Sequence, residues 1–261
     1  MKKALILLCA LFFALGLISI YAMNAEKPQP QAGTQAEAQR LWELAIAAKG
    51  GRQRLYAVRN MLISTTGGSK YHTVDLHVFP DKFWSWAGEP EPLGQSANMY
   101  NLEQRVAYSS NSGRPGAAAV KLHESNLGGG RIELVDAQLF YLMETQWVKP
   151  TLVGVSSGEV GWHRADVVRT QFEGRTIDYY LDRKTHLPLK VALVDESNGR
   201  EYMYETQSDY ANIDGIQLPL KVDTRGTGDL SNSYQFNVEY DQQLFERPPS
   251  ALAGPDAWRR K

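Results

Sequence analysis

The spacing of apolar and polar residues changes character along the chain, and each change marks an element. Residues Ala4 to Ala22 carry no charge and follow Met1-Lys2-Lys3. A basic end before an apolar run reads as a secretory signal, because the lysines stay on the cytoplasmic side while the run enters the membrane. The run exceeds the roughly 7–15 residues of a cleaved signal core and approaches the roughly 20 of a spanning helix. Residues 1–25 are therefore expected to be a signal peptide. An uncleaved membrane anchor through residues 4–22 is the second reading, because Ile20 and Met23 stand two positions before the small residues Ala22 and Ala25 and spoil a small-x-small cleavage site. Residues 26–34 read as a polar linker, with Pro28 and Pro30 beside Gln29 and Gln31.

Helical spacing begins at Gln35. Leu41, Leu44, Ala45 and Ala48 share a face up to Lys49, Thr34 is placed to cap the helix, and Gly50-Gly51 stop it. Arg52 to Val58 predicts a second short helical turn. From Lys70 to Phe79 the period falls to two. Val74, Leu76 and Val78 alternate with Thr73, Asp75 and His77, as in a strand with one wet face. Lys82 to Trp86 predicts the next strand, with Trp84 and Trp86 on one face. Tyr100 and Leu102 pair in pattern with Val106 and Tyr108 as a hairpin around Glu103-Gln104. Asn111 to Gly130, rich in glycine, reads as a surface loop, with a hinged lid as the sharper reading. Arg131 to Val148 predicts a helix whose stripe holds Ile132, Val135, Leu139, Leu142 and Met143, ended by Pro150. From Leu152 to Phe245 short strands alternate with turns such as Asn198-Gly199 and Asp214-Gly215, which supply the positive φ of tight hairpins. No helix-length pattern interrupts them, which favours an antiparallel meander over βαβ units.

Composition narrows the chemistry. The chain has 28 Lys+Arg and 29 Asp+Glu, so it lacks the basic excess of a nucleic-acid binder. Its one cysteine, Cys9, lies inside the first apolar run, and loss of that run removes any disulfide, zinc–cysteine site or thiol nucleophile. His72, Asp75 and His77 form H-x-x-D-x-H, but alternation sends His72 to the face opposite the other two, so they do not converge on one ion. No G-x-S-x-G is present, and Gly128-Gly129-Gly130 precede no Lys-Ser/Thr. No cofactor, no metal and no catalytic residue are expected.

Five motifs recur in one family. They are A-x-x-x-x-G-G with L-x-x-V (Ala45 to Val58), G-x-x-x-x-x-V-V (Gly161 to Val168) and Y-Y-L-D-x-x-T-x-L-P-L-K (Tyr179 to Lys190). They continue with D-Y-x-x-I-D-G-I-x-L-P-L-K (Asp209 to Lys221) and N-V-E-Y-D-x-x-L-F-x-x-P (Asn237 to Pro248). Together they resemble the outer-membrane lipoprotein-sorting superfamily, the LolA/LolB-like group. The resemblance implies a mainly β, α+β fold over residues 35–248: a curved antiparallel sheet, an incomplete barrel closed by helices, with an apolar concave face for lipid acyl chains. Residues 249–261 are expected to be a C-terminal tail. Taken alone, the Asp182 and Asp214-Gly215 motifs read as hairpin corners. If the sheet curves so, Val74, Leu76, Val78, Trp84, Trp86, Leu139, Leu142 and Met143 are the candidate cavity wall. The function this implies is a non-catalytic periplasmic carrier or sensor of a hydrophobic small molecule, a lipid or a lipoprotein acyl chain, with envelope lipoproteins as further partners. The alternatives are an envelope interaction module with a packed core, and an enzyme acting on a hydrophobic substrate, which requires a buried pair of polar side chains.

Overall fold

A computed structural model of the chain describes residues 35–68, 71–88, 94–111, 119–226 and 228–260. The signal or anchor, Cys9, the linker and residues 112–118 of the glycine-rich loop lie outside the described residues. Helices α1 (Gln35–Lys49) and α2 (Arg52–Ala57) lead into β1 (Asn60–Gly67), β2 (Tyr71–Val78), β3 (Lys82–Gly88), β4 (Gln95–Asn101), β5 (Val106–Asn111) and β6 (Val120–Lys121). Helix α3 (Leu127–Ala137) and a π-turn (Gln138–Leu142) follow. Then come β7 (Thr151–Val160), β8 (His163–Phe172), β9 (Arg175–Asp182), β10 (Pro188–Asp195), β11 (Arg200–Ile213), β12 (Ile216–Thr224) and β13 (Leu230–Phe236).

All thirteen strands form one curved antiparallel sheet that does not close into a barrel, in the order β6-β5-β4-β3-β2-β1-β13-β12-β11-β10-β9-β8-β7. Two meanders therefore meet at β13, which runs beside β1 from Met61↔Phe236 to Gly67↔Leu230. Its other ladder, with β12, holds only Lys221↔Ser231 and Val222↔Leu230 among the described residues.

The helices cover one face. Leu41, Trp42 and Ile46 of α1 and Leu134 and Val135 of α3 share a core with Met61, Ile63, Phe83, Val168, Tyr179 and Leu181 of the sheet. Trp42 meets Tyr179 edge-on at 5.1 Å. On the other face of β1–β5, Leu62, Leu76, Trp84, Trp86 and Met99 make a second core, and the segment after β13 closes it with Leu244, Phe245 and Trp258. Trp86 Nε1 donates to the Ala251 carbonyl at 3.0 Å, and Asn101 Nδ2 donates to that of Phe245 at 3.3 Å. The outer face of the other half is polar: Lys190 bonds Glu201 at 2.9 Å, and Arg169 bonds Asp178 at 2.7 Å.

Several sequence expectations need correction. Strand pairing ends at Phe236, because Asn60 captures the chain there: its carbonyl accepts from Asn237 N at 3.0 Å and its Oδ1 from Val238 N at 2.9 Å. Of the expected tail, residues 249–261, Ala251 is fully buried and Trp258 nearly so, while Leu252 is exposed. The helix expected over Arg131–Val148 starts earlier and breaks at Met143, whose φ is 66°. Beyond the break Thr145 Oγ1 accepts from Val148 N at 3.1 Å, which fixes a turn where a helix was expected.

Gly128 and Gly130 thus lie inside a helix and not in a loop, and their environments differ. A Cβ at Gly130 would stand 2.5 Å from Tyr100 Cγ, so glycine lets α3 rest on β4. A Cβ at Gly128 would meet nothing within 4 Å. Gly128→Ala is expected to raise stability by up to about 1 kcal/mol through helix propensity. Gly130→Ala is expected to lower it by about 1–3 kcal/mol through overpacking. Urea denaturation of the two variants checks the pair; a hinged loop would give both the same sign.

Candidate functional site

Alternation along β2 sends Tyr71, Thr73 and Asp75 towards the helices, while Val74 and Leu76 face the second core. The register carries this across the sheet. Asp75 lies opposite Ser85, and Ser85 opposite Asn98, so a polar row crosses three strands. A row away, His77, Phe83 and Tyr100 lie side by side. Above these rows comes the start of α3, where an ordinary helix would drive side chains into the sheet. Here it presents glycines, and a gap remains. The result is a cavity of about 270 Å³, lined by Tyr71, Thr73, Asp75, Phe83, Ser85, Trp86, Ala87, Asn98, Tyr100, Gly129 and Glu133.

Its floor is polar and its sides are aromatic. Asn98 Nδ2 donates to Ser85 Oγ at 3.4 Å, Thr73 Oγ1 donates to Asp75 Oδ2 at 3.3 Å, and Phe83 stacks on Tyr100 at 6.0 Å. Burial pushes the Asp75 carboxyl up to about 7, and the neighbouring Glu133 carboxylate adds to this, against the Thr73 hydrogen bond. Burial also raises Glu133, helped by Asp136. Among the described residues, no Lys, Arg or His lines it. Such a site can accept hydrogen bonds, hold a proton near neutrality and face an aromatic or aliphatic body. It also contains the polar pair for which the sequence offers no motif. Among the described residues no three His, Cys, Asp or Glu side chains gather as metal ligands.

The structure does not bring the eight expected wall residues together. Leu139, Leu142 and Met143 are fully buried in the helix-side core, filled against their neighbours. Val74, Leu76, Trp84 and Trp86, with Val78 at the edge, belong to the opposite core beneath the C-terminal segment. The period of two is the reason: the apolar positions of β2 and β3 face away from the helices. Trp86 alone of the eight is among the lining residues. His77, expected on a wet face, is a core residue between Phe79 and Phe83, and burial pulls its imidazole down to about 4.

No family model and no curated protein matches the chain. Solved structures do. The chain is similar to a putative outer membrane lipoprotein-sorting protein domain from Vibrio parahaemolyticus, at 11% identity over 81% of this chain and 97% of that one, TM-score 0.44. It is similar to a LolA superfamily protein from Nitrosomonas europaea, at 13% identity over 80% and 96%, TM-score 0.46. A DUF1329 family protein from Desulfovibrio piger gives 14% identity over 80% and 96%, TM-score 0.46.

A second polar cluster lies sealed behind the join of β12 and β13. Tyr234 Oη donates to the Pro219 carbonyl at 2.8 Å and accepts from Asn232 Nδ2 at 2.9 Å. Tyr141, edge-on to Tyr234, donates to Glu205 Oε2 at 3.0 Å. Gln207 Nε2 donates to Glu205 Oε1 at 2.9 Å, and Tyr210 Oη donates to Gln207 at 2.7 Å. Lys49, the last residue of α1, is 0% exposed; its Nζ lies 5.3 Å from the centre of the Tyr210 ring and has no hydrogen-bond partner among the described residues. Burial drags its amine from 10.5 down to about 7, opposed by the Glu205 carboxylate. Burial likewise pushes Glu205 up to about 7. Sequence periodicity placed Lys49 at a helix end, where a lysine is ordinarily solvated.

The depressed amine gives a signed expectation. Folding favours neutral Lys49, so its contribution is complete above 10.5 and is lost as pH falls through about 7. Stability of the protein is expected to rise with pH over the alkaline side of that window. Lys49→Met should remove this rise and increase stability at neutral pH. Urea midpoints at pH 7, 8 and 9 check it; a variant that keeps the slope places the titration elsewhere.

Proposed function

We propose that this chain is a binding protein of the bacterial envelope that holds a compact amphiphilic molecule, or the polar end of a lipid, beneath α3. The cavity between the glycine start of α3 and the β2–β4 face carries this reading. About 270 Å³ lies just under the usual range of roughly 300–1,000 Å³ for small-molecule pockets. Aromatic sides and a polar floor suit a ligand with one apolar and one polar part. Location in the periplasm rests on the basic-then-apolar start of the sequence, and a role in carrying lipids or lipoprotein acyl chains rests on the motif resemblance. Envelope lipoproteins are the partners this reading implies.

Neutral N-phenyl-1-naphthylamine is the test probe, since its fluorescence rises on leaving water. The protein is expected to enhance it, and Gly129→Leu to weaken its binding about tenfold, a change of about 1.4 kcal/mol. A Cβ at Gly129 meets only Tyr100 Oη, at 3.8 Å, so a larger residue there fills the cavity and leaves α3 in place. Equal binding by both forms would remove the cavity from the reading. Asp75 favours a second reading, acid–base chemistry on the bound molecule, because its carboxyl titrates near neutrality. Ligand recovered unchanged from native mass spectrometry supports binding alone; a converted product supports the second reading.

A further inference from the structure

The cavity has a polarity of its own, apart from its size. Asp75 stands on its floor and Glu133 lines it from α3, and Tyr71, Phe83 and Tyr100 supply aromatic rings around them. Among the described residues that line it, no cationic side chain balances the two acids. Arg175 pairs with Asp136 of the same helix and Arg131 with Glu173, so both nearby guanidinium groups are already committed. Thr73 donates to Asp75, while Asn98 spends a donor on Ser85. What the site lacks, among the described residues, is positive charge.

We infer that the polar end of the ligand is an organic cation, a primary or substituted ammonium, seated against Asp75 and Glu133 with its carbon body along Tyr71, Phe83 and Tyr100. Resting on the binding reading above, the inference names the chemical class for the same cavity. An ammonium gives hydrogen bonds to carboxyl oxygens and is attracted to aromatic faces at once. A carboxylate or sulfate end would meet two like charges, Asp75 and the more exposed Glu133, which is unfavourable. A bare divalent ion would leave the aromatic walls without a function, and the described residues offer it two carboxylates and no third His, Cys, Asp or Glu ligand.

The test uses the whole protein and three ligands of one chain length: hexylamine, hexanol and hexanoate. Each displaces N-phenyl-1-naphthylamine at pH 8, above the value near 7 at which Asp75 titrates. Hexylamine is expected to compete at least about tenfold better than hexanol, and hexanoate worst. Asp75→Asn should bring hexylamine down to the level of hexanol, and Glu133→Gln should do so in part, with circular dichroism confirming both folds. Hexanol competing as well as hexylamine would overturn the cation while leaving the binding reading in place. Failure of the naphthylamine and all three ligands to bind would instead overturn the binding reading. Stoichiometric Ca²⁺ or Mg²⁺ that expels hexylamine would overturn the organic cation in favour of a metal site.

Discussion

The fold depends on how two meanders are joined where backbone pairing nearly stops. Strands β12 and β13 share two residue pairs, and beside them Pro219 has no N–H to offer a neighbour. Side chains supply what the ladder omits. Tyr234 of β13 donates to the Pro219 carbonyl, and Tyr141, Glu205, Gln207 and Tyr210 continue the chain of hydrogen bonds inward. In a low-dielectric interior each of these bonds is stronger than in water, and each group left unpaired is costlier. The proline of the L-P-L-K motif is tolerated because the strand edge it occupies is bonded by a phenol.

The motif glycines have mechanical reasons of the same kind. Gly50 closes α1 with φ 123°, and a Cβ there would fall 2.2 Å from the Gly215 carbonyl oxygen. The G-G stop of the first motif and the D-G turn of the fourth therefore touch. Gly50 must be bare so that α1 can end on the β11–β12 corner, while Gly215 is glycine for its φ of 85° and for the Arg54 side chain beside it. Asp182 is similarly accounted for: its Oδ1 accepts from Thr185 N at 2.7 Å and from Lys184 N at 3.0 Å, fixing the β9–β10 corner.

Features set by local backbone rules were legible in the sequence. The helix α1, the apolar positions Val74 and Leu76 of β2 and the Asn-Gly and Asp-Gly corners appear where expected. Yet α1 buries Trp42, Ile46 and Lys49 where Leu44 and Ala48 were expected, and His77 is buried. Strand β1 was not legible, because Met61, Leu62 and Ile63 are covered on both faces and show no alternation. The cavity was not legible either. It is made in part by the absence of a side chain at Gly129, and its carboxyls come from elements whose meeting only the register determines. The wall candidates of β2 and β3 fall under another cover than those of the helix because greasy alternation identifies a buried face and is silent about which cover lies over it.

The C-terminal segment over Trp84, Trp86 and Leu76 has a consequence for how the molecule comes into being. A ribosome delivers β1–β5 early and residues 237–260 last. Until then the first strands have neither the neighbour that flanks β1 nor the lid on their second face. Contacts of such long sequence separation form slowly. The amino-terminal strands thus carry an apolar face that only the last residues of the chain cover, so this half cannot complete its packing until the carboxyl end has joined it.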